Sequence, residues 1–248
     1  MSPTEPASAR TSILQVDFAL DDFDADEEMS LDFYRQVAVR EDMLVPLAEH
    51  HTPEGAHSYY VLFDRSATYG HPGMPQYVAV HLKRDREKET FGFEQALLPL
   101  PAMAQSWLIH RGCPPDAIGL NPELGPPPAD EATRALEQRL AGDGDHYAMG
   151  YSYTRDDPDD MVTVVALCAL DERAPSPFRV VVEEVDTDAW THTLREGGFA
   201  TVGEALQWCD DRLTGEAGPL PPVRPAAAVT RPAGLPKAPA PRPPGRSR

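Results

Sequence analysis

The chain has 248 residues, with 40 acidic and 22 basic side chains and a formal net charge of −18 at pH 7. Binding to nucleic acid or to an anionic membrane requires a basic face, so this charge argues against a general binder of either kind. No basic segment leads into an apolar stretch near the N terminus, and no apolar run approaches the roughly 20 residues of a membrane-spanning helix. We therefore expect a soluble, cytoplasmic protein.

The basic residues are 19 arginines and 3 lysines, a bias typical of GC-rich bacterial coding rather than of selection at one site. The three cysteines, Cys113, Cys168 and Cys209, are far apart and include no Cys-x-x-Cys pair. This spacing predicts neither a disulfide framework nor a zinc site, which fits a reducing compartment.

Charge divides the chain into three zones: residues 1–30 carry −7, residues 31–213 carry −16, and residues 214–248 carry +5. The last zone is rich in proline, alanine and arginine and has no periodic apolar face, so we expect a disordered basic tail. The first zone predicts a disordered acidic arm, and the middle zone a single folded domain. No internal repeat of the lengths typical of solenoid and propeller proteins is visible in that domain.

Local patterns predict five strands and three helices. Aromatic and β-branched residues predict strands at 59–64 and 77–83, then at 145–154, 161–170 and 178–185. Helices are predicted over 101–110, from the Asp130 cap to Gly142, and over 201–213, where Thr201 and Glu204 have capping-box spacing. Alternation predicts that His81 faces the wetter side of its strand. It also predicts that Tyr147, Met149, Tyr151 and Tyr153 share one aromatic face.

The resulting order, β-β-α-α-β-β-β-α, predicts an α+β fold in which helices pack against an antiparallel sheet of about five strands. No alternating β-α-β run, Gly-x-Gly-x-x-Gly or Walker sequence occurs, which argues against a nucleotide-binding sheet. Whether the two groups of strands join in one sheet decides which side chains can share a site.

Histidine is locally enriched, with five of the eight histidines in one short stretch: His50, His51, His57, His71 and His81. Imidazole with Glu54 would suit a divalent metal, but the segment HHTPEGAH is typical of a loop and matches no ligand motif. We therefore predict no metal site and no cofactor. A pocket that uses His57, Asp64 and His81 for acid-base chemistry, with His110 nearby, remains an enzymatic alternative.

Cys113 is the one candidate nucleophile, because it follows Gly112 and precedes a proline loop where a helix start would favour its thiolate. No second partner for it is evident, so we expect an inert cysteine, and the activated nucleophile is the alternative.

The acidic arm carries Phe18, Leu20 and Phe23, which we expect to contact a partner protein by folding on binding. The basic tail offers the one site for weak nucleic-acid contact, through Arg224, Arg231, Lys237, Arg242, Arg246 and Arg248. The leading hypothesis is a non-enzymatic bacterial accessory protein that binds a protein partner through its acidic domain and flexible ends.

Overall fold

A computed structural model describes residues 16–171 and 174–224. Of the ends predicted to be disordered, residues 1–30 and 214–248, only 1–15 and 225–248 lie outside the described residues. Within the predicted arm, Val16 and Phe18 are buried and a helix begins at Glu27. The described residues form four α-helices, α1 (Glu27–Gln36), α2 (Pro101–Ile109), α3 (Glu131–Leu140) and α4 (Val202–Thr214). The strands are β1 (Leu44–His51), β2 (His57–Asp64), β3 (Tyr77–Asp85), β4 (Thr90–Leu98), β5 (Tyr147–Asp157), β6 (Asp160–Ala169), β7 (Phe178–Asp186) and β8 (Thr191–Phe199).

The α+β class is confirmed, but the described residues form two sheets instead of one. Sheet 1 has the order β1-β2-β3-β4 and sheet 2 the order β5-β6-β7-β8, each an antiparallel meander. The prediction of about five strands was too low because β1, β4 and β8 carry proline, glycine or charged residues that weaken their individual strand signals. Pairing with a strongly patterned neighbour supplies the stability that their own sequences lack.

The layers alternate along the molecule. The N-terminal segment and α1 cover the outer face of sheet 1, where Phe18 and Phe33 pack against Tyr60. The inner face of sheet 1 packs against α2. Helices α2 and α3 together cover part of the inner face of sheet 2, and α4 covers the outer face of that sheet. The two inner faces therefore point toward each other across the middle of the molecule.

The helix ends follow local chemistry. Asp26 and Asp130 cap α1 and α3 by accepting hydrogen bonds from the backbone amides of Met29 and Thr133. The predicted capping box of α4 is present, with the Thr201 hydroxyl and the Glu204 carboxylate each accepting from the other residue's backbone.

Both halves of the described chain repeat one backbone unit: helix, four-stranded meander, helix. Corresponding elements begin at nearly constant spacing: α1 at 27 and α3 at 131, β1 at 44 and β5 at 147, β2 at 57 and β6 at 160, β3 at 77 and β7 at 178, β4 at 90 and β8 at 191, α2 at 101 and α4 at 202. The first strand of each half carries an irregularity after its third residue, at Leu47 and at Gly150.

Turn details repeat as well. Asp85 and Asp186 each accept two backbone amides in the turn before the last strand, and each turn ends in a left-handed residue, Glu89 (φ 52°) and Trp190 (φ 51°). The period is much longer than that of the short-repeat families, and the similarity lies in the backbone instead of in the side chains. Both features explain why the repeat is not visible in the sequence.

Candidate functional site

Two residues of the predicted acid-base pocket, His57 and His81, are in contact, and His81 is buried. His57 Nδ1 and His81 Nε2 are 3.0 Å apart, and the His81 ring stacks on Tyr59 with centroids separated by 4.5 Å. The prediction that His81 faces the wetter side was wrong, because its face of β3 packs against α2 and leaves the residue 2% exposed. Burial, together with the charges of Lys83 and His57, lowers the pKa of His81 to about 4.

Asp64 does not join this pair. His57 and Asp64 lie an odd number of positions apart on β2, so their side chains point to opposite faces of sheet 1. Asp64 forms an ion pair with Arg40 at 2.8 Å and accepts hydrogen bonds from the backbone and hydroxyl of Ser66. His57, Asp64 and His81 therefore do not line one acid-base pocket.

Cys113 is buried beside Tyr59 under α2. Burial raises the pKa of its thiol to about 11, the opposite of what an activated nucleophile needs. The same cause raises the pKa of Cys209 to about 12, whereas Cys168 is exposed.

The three thiols should therefore differ in their rates of alkylation. At pH 8 we expect iodoacetamide to modify Cys168 within minutes and to leave Cys113 and Cys209 unmodified until the chain unfolds, because only exposed thiolate reacts. Peptide mass mapping measures the extent at each position. Modification of Cys113 at the rate of Cys168 would contradict the burial of its thiol.

The histidine-rich segment contributes to a strand. His50 and His51 belong to β1, opposite Tyr59 and Ser58, so their prediction as loop residues was wrong. Among residues 16–171 and 174–224, no group of three or more His, Cys, Asp or Glu side chains is arranged to hold a metal ion.

The aromatic residues of the predicted arm pack on sheet 1. Phe18 is buried in the cluster with Phe33, Leu20 packs at its margin, and the guanidinium of Arg84 lies 5.7 Å from the ring centroid of Phe23. In this arrangement Phe18 is not available to a partner. Of the six basic residues of the predicted tail, Arg224 alone is described, and its backbone amide donates to the Ser176 hydroxyl at 2.9 Å.

The predicted aromatic face on β5 is split. The irregularity at Gly150 shifts the register between Met149 and Tyr151, so Tyr147 packs on the inner side of sheet 2 and Tyr151 on the α4 side. A one-residue insertion reverses the facing of every later residue in a strand.

A cleft opens between the inner faces of the two sheets, beside the α2 and α3 layer. Two adjoining cavities of about 340 Å³ and about 230 Å³ form it and share Leu47, Tyr77, Leu124, Gly125, Pro126 and Glu183. Sheet 1 contributes Val45 and Phe63 to the wall, and sheet 2 contributes Thr163 and Val185. Volumes of this order, with mainly apolar walls, are typical of small-molecule sites.

Two connections hold the walls of the cleft together. The loop before α3 is bonded to both sheets through its backbone. The backbone amide of Asn121 donates to the Leu47 carbonyl on β1, and that of Ala129 donates to the His192 carbonyl on β8. The β2–β3 loop connects sheet 1 to sheet 2. Its Gly73 and Thr154 of β5 form two backbone hydrogen bonds with each other, of 3.2 and 3.3 Å. The cleft is therefore built from elements fixed at both ends.

Glu183 is the central polar group of the cleft. It lies on β7 between Val181 and Val185 on the inner face, opposite Thr163 on β6. Its carboxyl has no hydrogen bond or ion pair with any described residue, and it lines both cavities. Burial raises its pKa to about 7; the nearby His192 opposes the shift and Glu137 adds to it.

The neighbouring polar groups are already engaged. His192 contacts the Pro126 carbonyl through Nδ1 at 2.8 Å and Glu137 through Nε2 at 3.0 Å. Burial opposes protonation of His192, but these contacts and the charge of Glu183 raise its pKa overall. Burial also raises the pKa of Tyr77 well above its usual value, so its hydroxyl stays protonated at neutral pH. Glu183 is thus a half-buried carboxyl of the described cleft wall that has no hydrogen bond or ion pair.

Sequence reasoning missed Glu183, although a signal was present. In the strand FRVVVEEV, alternation places Glu183 on the same face as Val181 and Val185, an acid among apolar residues. The other wall of the cleft comes from the first half of the chain, and no local pattern brings the two walls together.

Within the described residues, no helix combines the length and the apolar character needed to cross a membrane. No protein-family model, curated protein or solved structure matches the chain.

Proposed function

We propose that this protein is a binding protein whose small-molecule site is the cleft between the two sheets. The supporting observation is Glu183, a half-buried carboxyl without a hydrogen bond or ion pair, between mainly apolar walls. A buried polar group without a partner costs stability, and a ligand that supplies the partner recovers that cost on binding. The cavity is already formed, because the loop before α3 and the β2–β3 loop connect its two walls. Few side chains therefore have to lose freedom when a ligand binds.

A fragment screen by ligand-observed NMR on the full chain tests this function. Leu124→Trp places an indole in the cleft from the loop side, and Leu170→Trp adds the same ring at a position that is 60% exposed. We expect fragment binding that Leu124→Trp removes and Leu170→Trp retains, with circular dichroism showing both variants folded. An absence of binding at millimolar fragment, or hits that survive Leu124→Trp, would overturn the proposal.

A second candidate is the binding of a partner protein by a cytoplasmic accessory protein, favoured by one surface. Four large apolar side chains are exposed on α1 and the following 3₁₀ helix: Leu31 (43%), Tyr34 (58%), Val39 (60%) and Met43 (39%). Acids surround them, including Glu28, Asp32 and Asp42. A partner with a basic rim and an apolar centre would complement this surface.

Affinity capture with matched baits tests the second candidate. We expect a protein retained by the native chain to be lost with a Tyr34→Ala, Val39→Ala double variant and at high salt, since the contact is apolar with a charged rim. A bait with Tyr69→Ala, another exposed tyrosine, serves as the control. Equal retention by all three baits would contradict a role for this surface.

A further inference from the structure

We propose that the cleft selects a protonated organic amine, with the ammonium group against the Glu183 carboxylate and the apolar body among the rings of Phe63, Tyr77 and Trp190. This inference rests on the proposed function of the cleft and specifies its ligand class. The three rings line the cavity of about 340 Å³ together with Glu183.

Among the described residues, no cation forms an ion pair or hydrogen bond with the Glu183 carboxylate. Arg155 also lines the cleft, but its guanidinium is committed to Asp160 at 2.6 Å and to the Leu213 carbonyl at 2.6 Å. His192 is held by Pro126 and Glu137. A half-buried carboxylate between apolar walls, whose neighbouring His192 is bonded elsewhere, favours a ligand that brings a cation to it.

One wall of the cleft is aromatic. Tyr77 and Phe63 are cross-strand neighbours whose ring centroids are 5.6 Å apart, and Trp190 lies in the β7–β8 turn at the edge of the cleft. Aromatic faces attract ammonium groups through their quadrupole, by roughly 0.5–2 kcal/mol. Rings and carboxylate together favour a cation that also carries apolar surface.

The charges and side chains of the cleft disfavour the other classes of ligand. An anion would be repelled by the Glu183 carboxylate. Glu137 and Asp156 add to this repulsion, since both lie close enough to affect the titration of cleft residues. A hard metal ion needs about six or more oxygen ligands, and no cluster of three ligating side chains exists among the described residues. A neutral apolar molecule would leave the carboxylate unpaired.

Three probes that share a phenyl body test the inference by calorimetry at pH 8: 2-phenylethylamine, 2-phenylethanol and phenylacetate. The variants are Glu183→Gln, which keeps shape and removes charge, and Glu87→Gln, which removes an exposed turn carboxylate. We expect the amine to bind at least tenfold more tightly than the alcohol, and phenylacetate not to bind. Glu183→Gln should lower amine affinity at least tenfold and leave the alcohol unchanged, and Glu87→Gln should change neither.

The outcomes separate this inference from the cleft function. If amine and alcohol bind equally and Leu124→Trp abolishes both, the cleft binds ligands but does not select a cation, and the inference fails alone. If amine binding survives Glu183→Gln, the carboxylate is not its partner and the inference also fails. If no probe binds and the fragment screen is empty, both proposals fail together.

Discussion

Replacing Arg179 with methionine is expected to lower the free energy of unfolding by about 3–5 kcal/mol, the usual cost of removing one member of a buried ion pair. The Arg179 side chain is fully buried and bonds to Asp143 at 2.5 Å and to Glu196 at 2.9 Å. Its guanidinium also lies 3.7 Å from the ring centroid of Tyr147. Because Arg139 also pairs with Glu196, the loss should fall mainly on Asp143, which would keep an enclosed charge without a partner.

Urea unfolding at pH 7 measures this effect, with Arg134→Met as the matched control. Arg134 pairs with Glu131 at the surface, with exposures of 50% and 84%, and such pairs contribute about 0–1 kcal/mol. The double variant Arg179→Met, Asp143→Asn should recover part of the loss, since it removes the stranded charge. A loss below about 1 kcal/mol for Arg179→Met would show that Asp143 reaches solvent freely.

Glu183→Gln is expected to flatten the alkaline side of the stability profile. The pKa of Glu183 is raised from 4.5 to about 7 on folding, so the native state holds its proton more tightly than the unfolded chain. That contribution is fully present below pH 4.5 and is lost as the pH rises through 7. Relative to Glu183→Gln, the native chain should lose about 2–3 kcal/mol of unfolding free energy between pH 5 and pH 8.5.

His192 also lowers the free energy of unfolding as the pH rises, so the native chain has to be compared with the variant. Its pKa is raised, so its stabilising charge is also lost as the pH rises, and Glu137 faces both groups. Glu183→Gln retains His192 and Glu137, so the difference between the two profiles reports Glu183 together with its electrostatic coupling to His192. Parallel profiles from pH 5 to pH 8.5, with Glu87→Gln as the control, would contradict an enclosed carboxyl.

The elements that sequence predicted well have strong local signals. The α4 capping box, the Asp130 cap of α3 and the apolar run of β6 were all identified, because each depends on near neighbours in the chain or on an uninterrupted pattern. Strand β4 was missed because TFGFEQALL mixes glycine and charge with apolar residues on both faces. Its pairing with β3 is a non-local contribution that no window of sequence contains.

The candidate site was less predictable than the fold. Proximity of His57 and His81 follows from the register of two neighbouring strands, and the strand predictions came close to it. Facing was harder to predict. The pocket prediction grouped Asp64 with His57 although the two side chains lie on opposite faces of sheet 1. The Tyr147–Tyr153 series was assigned to one face by alternation, without the irregularity at Gly150. The cleft depends on how two sheets from different halves of the chain pack together, which a single sequence does not encode locally.

The repeated unit has a consequence for where binding can arise. Each unit carries a helix on both faces of its sheet, so a chain of half this length would contain no cleft, and neither half could inherit one from an ancestral single copy. Duplication and fusion of such a unit would place two inward faces opposite each other for the first time. A molecule bound in the cleft would contact both copies of the unit at once. Ligand binding and the distance between the two halves would therefore depend on the same contacts.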